Sequence, residues 1–191
     1  LNVEEKLSSI LHNGQISKSG ESYIFNKKGK LLSQSRFSKE LHEIGLLKKN
    51  EKSYETLEIR DPGGNMIEGF VPKIALKDLP LTKMAKSAIS LAETSNTSYS
   101  KIISNVEGYR DYRGVNVVGA WMWNSEFDFG ITTEVDKKEA LETYYILRQN
   151  LLIIARLTLF FTVIAILMLI NLGEKTNKRI QDVMQMNIIF N

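Results

Sequence analysis

The longest apolar run of the chain lies near its C-terminal end, from Leu151 to Leu172, and Arg156 is the one charged residue that interrupts it. At a rise of about 1.5 Å per residue, a helix of this length spans roughly 33 Å, enough to cross the hydrocarbon core of a bilayer. A soluble helix of that length would normally show a polar face, and the Arg156 side chain can reach back to the headgroups. The pattern predicts a transmembrane helix, with a buried core helix as the alternative.

Helical and strand-like patterns alternate in the residues before this run. One apolar helical face in 1–19 predicts a connector helix that ends near Gly14, and a second helical face predicts a helix over 81–91. Between them, the pattern predicts a hairpin at 21–35 with Gly29 in its turn, a short helix at 38–47 and a strand at 54–60. The polar composition of 95–104 predicts a loop.

The densest strand pattern runs from Gly108 to Asp136. Aromatic and β-branched residues bounded by Gly and Asn predict two or three antiparallel strands in meander order. Lys137 then begins a helical pattern, and no Pro or Gly follows it before Gly173. The sequence therefore predicts one continuous helix from about Lys138 to Leu172 and beyond.

Charge and composition exclude several functions. The net charge is +3, of which the membrane segment and the tail after it contribute +1 each, leaving about +1 for the remaining residues, far less than a nucleic-acid-binding domain carries. The chain has no Cys, and its His residues, 12 and 42, lack the spacing of a metal site. No P-loop and no catalytic triad are visible. We therefore expect no cofactor, no nucleic-acid partner and no enzymatic activity in this segment.

Arginine, aspartate and aromatic residues concentrate in two short stretches, which makes them the candidate binding residues. An Arg can bind a ligand carboxylate through two parallel hydrogen bonds, an Asp can bind a ligand ammonium group, and Trp or Tyr can pack on the apolar part of the ligand. This set predicts a site for a small amino-acid-like molecule or carboxylate: Arg60, Asp61, Tyr109, Arg110, Asp111, Tyr112, Arg113, Trp121 and Trp123. In a continuous strand, Tyr109, Asp111 and Arg113 would share one face. The alternatives are a structural Arg–Asp network and Trp side chains that belong to the core.

Two acidic residues, Glu134 and Asp136, lie two apart on one predicted strand face. They could act as paired acids. A salt bridge at the strand end, or a helix N-cap at Asp136, is the interpretation that we favour for residues in this position.

Several stretches carry a resemblance to a known family, in family order over about 120 residues: Gly20–Phe25, Leu31–Phe37, Ile44–Leu47, Arg60–Gly63, Pro80–Ala85, Gly108–Gly114, Val118–Trp123 and Glu134–Asp136. With these residues the chain resembles the Cache-type, PAS-like extracytoplasmic sensor domains of bacterial transmembrane receptors, and most closely the membrane-proximal unit of double-Cache receptors. The resemblance implies an α+β fold with a curved antiparallel sheet of about five strands, flanking helices and a last helix that enters the membrane.

The resemblance also implies an organisation and a role. We expect a connector helix at 1–19, a sensor domain at 20–137, a juxtamembrane helix at 138–150, the transmembrane helix at 151–172 and a cytoplasmic tail at 173–191, within a longer receptor. The expected function is extracytoplasmic sensing of a small molecule by a homodimer, passed through the C-terminal helix to a cytoplasmic kinase, cyclase or other effector. A membrane-tethered binding or adhesion module without signalling output is the alternative.

Overall fold

The computed structural model describes residues 3–13, 17–94 and 101–189, and it divides at Leu141 into two compact units. The first unit contains α1 (Val3–Asn13), β1 (Glu21–Phe25), α2 (Ser38–Glu43), α3 (Lys83–Thr94), β2 (Ile103–Arg110), β3 (Asn116–Asn124), β4 (Phe129–Asp136) and α4 (Lys137–Ala140). The second unit contains α5 (Glu142–Ile189). The predicted helix end at Gly14 and most of the predicted loop at 95–104 lie outside the described residues, and β2 already begins at Ile103.

A four-stranded antiparallel sheet with the order β1-β4-β3-β2 organises the first unit. The fold is α+β, as the sequence predicts, with four strands in the described residues where the resemblance implies about five. In β4 alternate residues are buried, and in β1 every residue except Ser22 is buried. Aromatic side chains of the sheet pack with α3 and with buried residues of the 31–59 segment, among them Tyr23, Phe25, Trp121, Trp123, Leu41, Ile59 and Met84.

The segment 54–60 does not form the predicted strand. It makes only isolated bridges, Lys30 with Glu58 and Arg60 with Leu81. Its chain turns at Glu55, which has a φ of 52°. Its backbone bonds go to several places: Leu57 N–H donates to Ser53 O at 3.0 Å, and Ile59 N–H donates to Gly29 O at 2.8 Å. The alternation of apolar and polar residues in 54–60 is therefore explained by a half-buried loop, in which Leu57 and Ile59 enter the core while their neighbours face outward.

The predicted continuous helix is interrupted once, at Leu141. Helix α4 ends at Ala140, Leu141 has φ −103° and ψ 4°, and α5 begins at Glu142 and continues to Ile189. No Pro or Gly causes the interruption. The short α4 is instead held by its side chains: Glu139 accepts hydrogen bonds from residues 17–19, and Lys137 Nζ donates to Glu107 O.

Helix α5 is the apolar helix that the hydrophobic pattern predicts. An 18-residue window within Glu142–Gln185 has a mean hydropathy of 2.6, and the helix is long and apolar enough to cross a membrane. Its apolar side chains are exposed, Leu159 and Leu169 by 67% and 68%. A soluble core helix would bury such side chains.

Candidate functional site

Arg113, in the turn between β2 and β3, is the centre of a buried ion-pair network. Its Nε donates to Asp111 Oδ2 at 2.7 Å, its Nη1 to Glu40 Oε1 at 3.1 Å and its Nη2 to Asp136 Oδ1 at 3.1 Å. Its guanidinium carbon lies 3.9 Å from the ring centroid of Phe37, and the side chain is 5% exposed. One guanidinium thus joins the β2–β3 turn to α2 and to the end of β4.

The turn that carries Arg113 is shaped by Asp111. The Asp111 Oδ1 accepts from the backbone N–H groups of Arg113 and Val115, both at 2.9 Å, and Gly114 adopts a φ of 79°. Burial raises the pKa of Asp111 to about 6, even though Arg113 lowers it. Burial alone would lower the pKa of Arg113, but Asp111 and its neighbours raise it above the ordinary value. The pair is therefore held together in a water-excluded position.

Arg110 forms a different, more exposed pair. It binds Asp61 through two parallel bonds, Nε to Oδ1 at 2.7 Å and Nη2 to Oδ2 at 2.9 Å, and the Arg110 side chain is 46% exposed. The hydrogen bond with Asp61 raises the pKa of Arg110. Asp61 Oδ1 also accepts from Gly63 N–H at 2.8 Å, so this pair ties β2 to the turn at 61–64.

The continuous strand considered for Tyr109, Asp111 and Arg113 does not form, and Tyr112 likewise lies beyond the end of β2. Strand β2 ends at Arg110, and both tyrosines are buried, at 1% and 6% exposure. Trp121 and Trp123 lie in the core, each 3% exposed. Trp121 packs edge-on to Tyr109 and donates through Nε1 to Ser87 Oγ of α3 at 3.1 Å, and Trp123 packs edge-on to Phe25.

A second buried polar cluster lies on the core face of the sheet, where Glu21 of β1 stands directly opposite Glu134 of β4. Glu21 accepts from Ser35 Oγ at 2.7 Å, from Arg36 N–H at 3.0 Å and from Tyr112 O–H at 2.6 Å. The Tyr112 hydroxyl also lies 2.9 Å from Ser35 Oγ. Glu21 thereby has the donors that a buried carboxylate requires.

Glu134 has fewer partners than Glu21. Its Oε2 accepts from Tyr23 O–H at 2.7 Å, while its Oε1 and the hydroxyl of Tyr109 have no hydrogen-bond partner among the described residues. Both side chains use the space above Gly119, where a Cβ would lie 2.7 Å from the Tyr109 hydroxyl and 3.0 Å from Glu134 Cγ. Burial, and next the nearby Asp111 carboxylate, raise the pKa of Glu134 to about 8. Glu134 therefore keeps its proton at neutral pH.

The sequence analysis identifies Glu134 together with Asp136 as possible paired acids, but it does not identify Glu21. The two glutamates lie far apart in the chain and meet only through the β1–β4 register. The available signal is the alternation Glu21, Tyr23, Phe25, which places a carboxylate on the same face as two core aromatics.

A cavity of about 190 Å³ lies beside this cluster and includes two of the nine predicted residues, Arg60 and Tyr112. Arg60 donates through Nε to Glu58 Oε2 at 2.6 Å and through Nη1 to Leu79 O. The complete lining is Leu46, Thr56, Leu57, Glu58, Arg60, Pro62, Leu76, Lys77, Leu79 and Tyr112. Arg110 and Arg113 do not line it. Among the described residues, no group of three or more His, Asp or Glu side chains is arranged to hold a metal ion.

Comparisons with known proteins give one structural similarity. No family model matches the chain, and no curated protein matches it significantly. Among solved structures, the chain is similar to the extracellular domain of a protein assigned as a histidine kinase, mmHK1S-Z2, with 15% sequence identity and a TM-score of 0.36. The match covers 72% of this chain and 38% of that chain, so it spans less than half of the neighbour's length.

Proposed function

We propose that the first unit is the extracytoplasmic small-molecule-sensing module of a transmembrane signalling receptor, of the Cache, PAS-like class that the sequence resembles. The observation that carries this proposal is the position of the cavity. Tyr112 forms part of its wall, and the next residue, Arg113, binds Asp136 at the point where β4 leads into α4. A change in the cavity wall is thus one residue away from the contact that holds the start of α4.

A second connection runs through β1. The Tyr112 hydroxyl donates to Glu21, and Glu21 stands opposite Glu134 on β4. A ligand that displaces Tyr112 would disturb hydrogen bonds to β1 and, through the sheet, to the strand that precedes α4. Such a ligand must bind two states of the unit with unequal affinity, because equal binding shifts no equilibrium.

The lining of the cavity favours a small ligand with one anionic end. Leu46, Leu57 and Leu79 supply apolar surface. Arg60 and Lys77 supply positive charge, and Glu58, which pairs with Arg60, supplies negative charge, so the lining carries a net charge of +1. Drug-sized ligands occupy pockets of roughly 300–1,000 Å³, so a smaller cavity fits a molecule of amino-acid size. We therefore propose an amino-acid-like molecule or a short carboxylate as the ligand, bound at Arg60 and not at the enclosed Arg113.

The experiment uses the whole chain in lipid nanodiscs and a panel of amino acids and short carboxylates. Members that raise the unfolding temperature of the parent are then titrated by calorimetry against two variants. Thr56→Trp fills the cavity from a position that is exposed, and Ser125→Trp adds the same side chain at the exposed β3–β4 turn. We expect Thr56→Trp to lose binding and Ser125→Trp to retain it.

Two results would contradict this assignment. If no panel member binds the parent, the sensing proposal loses its ligand class. If both Trp variants bind a ligand equally well, the ligand does not use the cavity. Binding without any effect on an effector in the full-length protein would support the alternative, a membrane-tethered binding module.

A further inference from the structure

The segment 67–76 presents an unusual number of apolar side chains to solvent, and we call it the apolar loop. Val71 is 78% exposed and Ile74 is 55% exposed, and three more apolar side chains are between 37% and 40% exposed: Ile67, Phe70 and Leu76. Scattered exposed apolar residues are normal in soluble proteins, whereas a contiguous group is typical of an interaction surface.

The apolar loop has a defined structure at its base. Asn65 Oδ1 accepts from Ile67 N–H at 3.1 Å, Asn65 O accepts from Phe70 N–H at 3.1 Å, and Gly69 adopts a φ of 90°. The Phe70 ring lies on Gly64, where a Cβ would be only 2.5 Å from it. Since these contacts fix the base, the exposure of Val71 and Ile74 is a feature of the fold.

The apolar loop lies at the end of the sheet where β4 ends and the chain continues to α4 and α5. Met66 N–H donates to Arg113 O at 3.0 Å, and a Cβ on Gly114 would overlap Gly64 O. Arg113 in turn binds Asp136, the last residue of β4. The β3–β4 turn lies at the other end of β4, about 24 Å away for an eight-residue strand.

A short length of chain connects this end of the sheet to the apolar run of α5. Leu151, where the apolar run begins, follows Leu141 by ten residues, which is about 15 Å of helix. If α5 spans a bilayer, this short connection keeps the end of the sheet that carries the apolar loop within reach of that bilayer. This step rests on the membrane insertion that the proposed function requires.

We propose that the apolar loop docks on the lipid surface of the membrane that α5 spans. Val71 and Ile74 enter the boundary between headgroups and acyl chains, and Lys73 extends its ammonium group to the lipid phosphates. The composition favours lipid over a second copy of the chain. Two charged residues, Glu68 and Lys73, lie among the apolar residues of this loop, whereas the core of a protein–protein interface is depleted of charge.

The chain has no Cys, so single-cysteine variants give site-specific labels without further changes. Val71→Cys reports the loop, and Ala165→Cys reports the centre of the apolar run. Phe127→Cys is the matched control, because it is also an exposed apolar side chain, at 67%, in the β3–β4 turn. Each whole-chain variant carries a small fluorophore and is placed in nanodiscs whose lipids bear a nitroxide quencher on the headgroup or on the acyl chain.

The expected result is a ranking by position. We expect the acyl-chain nitroxide to quench the Ala165 site, the headgroup nitroxide to quench the Val71 site, and neither to quench the Phe127 site by more than about half of the Val71 effect. Because Val71 is largely exposed, its substitution leaves the fold intact, which a parent-like unfolding temperature would verify.

The remaining outcomes separate failure of this proposal from failure of the proposed function. An unquenched Ala165 site would show that α5 does not span the bilayer. A quenched Ala165 site with Val71 no more quenched than Phe127 would overturn the docking of the loop alone. Self-quenching of the Val71 label that appears only with two chains per disc would identify a second copy as the occupant and would also overturn it.

Discussion

Two arginines three positions apart show how burial decides the role of a residue. Arg110 is nearly half exposed and pairs with one carboxylate, whereas Arg113 is buried and pairs with three. An exposed ion pair contributes little to stability because water and salt screen it. Removal of one partner of a buried pair leaves uncompensated charges in a water-excluded site.

The first prediction compares these two arginines. Arg113→Ala should lower the free energy of unfolding of the first unit by about 3–5 kcal/mol, because Asp111, Glu40 and Asp136 lose their shared partner. Arg110→Ala should cost at most about 1 kcal/mol. Urea unfolding followed by Trp fluorescence measures both, since both Trp residues lie in the sheet. Equal, small losses would show that the Arg113 network does not stabilise the fold, and would favour a ligand-binding role for Arg113.

The second prediction concerns the proton on Glu134. Its pKa is about 4.5 when unfolded and about 8 when folded, so the folded state binds more protons between these values. Stability should therefore fall as pH rises from about 4.5 to 8, by at most about 1.4 kcal/mol per pH unit. Asp111 acts in the same direction, but only up to about pH 6. Glu134 thus dominates from pH 6 to 8.

The measurement is the urea midpoint of the parent and of Glu134→Gln at several pH values between 6 and 8.5. Gln keeps the acceptor for Tyr23 and removes the titration. The variant should show a flatter dependence on pH than the parent. Parallel curves for the two proteins would mean that Glu134 titrates near its unfolded value.

At the residue scale, the sequence identifies which residues belong to the polar clusters, but it does not predict how deeply each one is buried or which partner it binds. Arg60, Asp61 and the 109–113 stretch all have structural partners, but residue type alone could not tell that Arg113 would be buried and Arg110 exposed. That difference depends on the turn built by Asp111 and Gly114. The opposition of Glu21 and Glu134 depends on strand register, which a single sequence does not encode locally.

At the scale of elements, helix α4 is the junction of the first unit. Glu139 accepts from Lys18 N–H at 3.0 Å, from Ser19 N–H at 2.7 Å and from Ser17 Oγ at 3.1 Å. The hydrogen bonds from Ser19 are the leading cause of its lowered pKa, which is about 2. One carboxylate thereby ties the segment before β1 to the helix that follows β4.

The third prediction tests this tie with Glu139→Gln. Replacing the carboxylate removes the charge that strengthens the bonds to the Lys18 and Ser19 amides, so hydrogen exchange at these two amides should speed up. Exchange in the centre of β3 should not change. Glu142→Gln, an equal charge change three positions later, is the control and should leave both amides as in the parent. An unchanged exchange rate in Glu139→Gln would show that the segment is held by other contacts.

The same scale shows where periodicity predicts structure and where it does not. The 3.6-residue pattern correctly predicts α3, and Thr82 Oγ1 accepts from Ala85 N–H at its start. The strand predicted at 54–60 is wrong, because apolar and polar residues also alternate in a half-buried loop. The interruption at Leu141 has no sequence signal, and the contacts of Glu139 in the preceding helix are with residues about 120 positions earlier.

At the scale of the whole molecule, the chain joins a sheet-based unit to one long apolar helix. The helix has no interruption from Glu142 to Ile189, so a change that reaches Glu142 can be carried along it as rotation or translation. Helical geometry is interrupted at one residue between α4 and α5, Leu141. The proposed signalling role therefore predicts that effector output depends on the rotation of the helix about its own axis where it leaves the membrane.

The last prediction tests the effect of helix rotation in the longer receptor that the proposed function requires. Residues inserted one at a time near Leu147, after the interruption at Leu141, turn everything downstream by about 100° each. Effector output should vary with the number inserted and partly recover near four residues, about one full turn. Two Gly at the same position should uncouple ligand from output without weakening ligand binding, because the cavity lies entirely in the first unit. Output that is indifferent to both changes would mean that α5 is only a tether, and the binding-module alternative would then explain the molecule better.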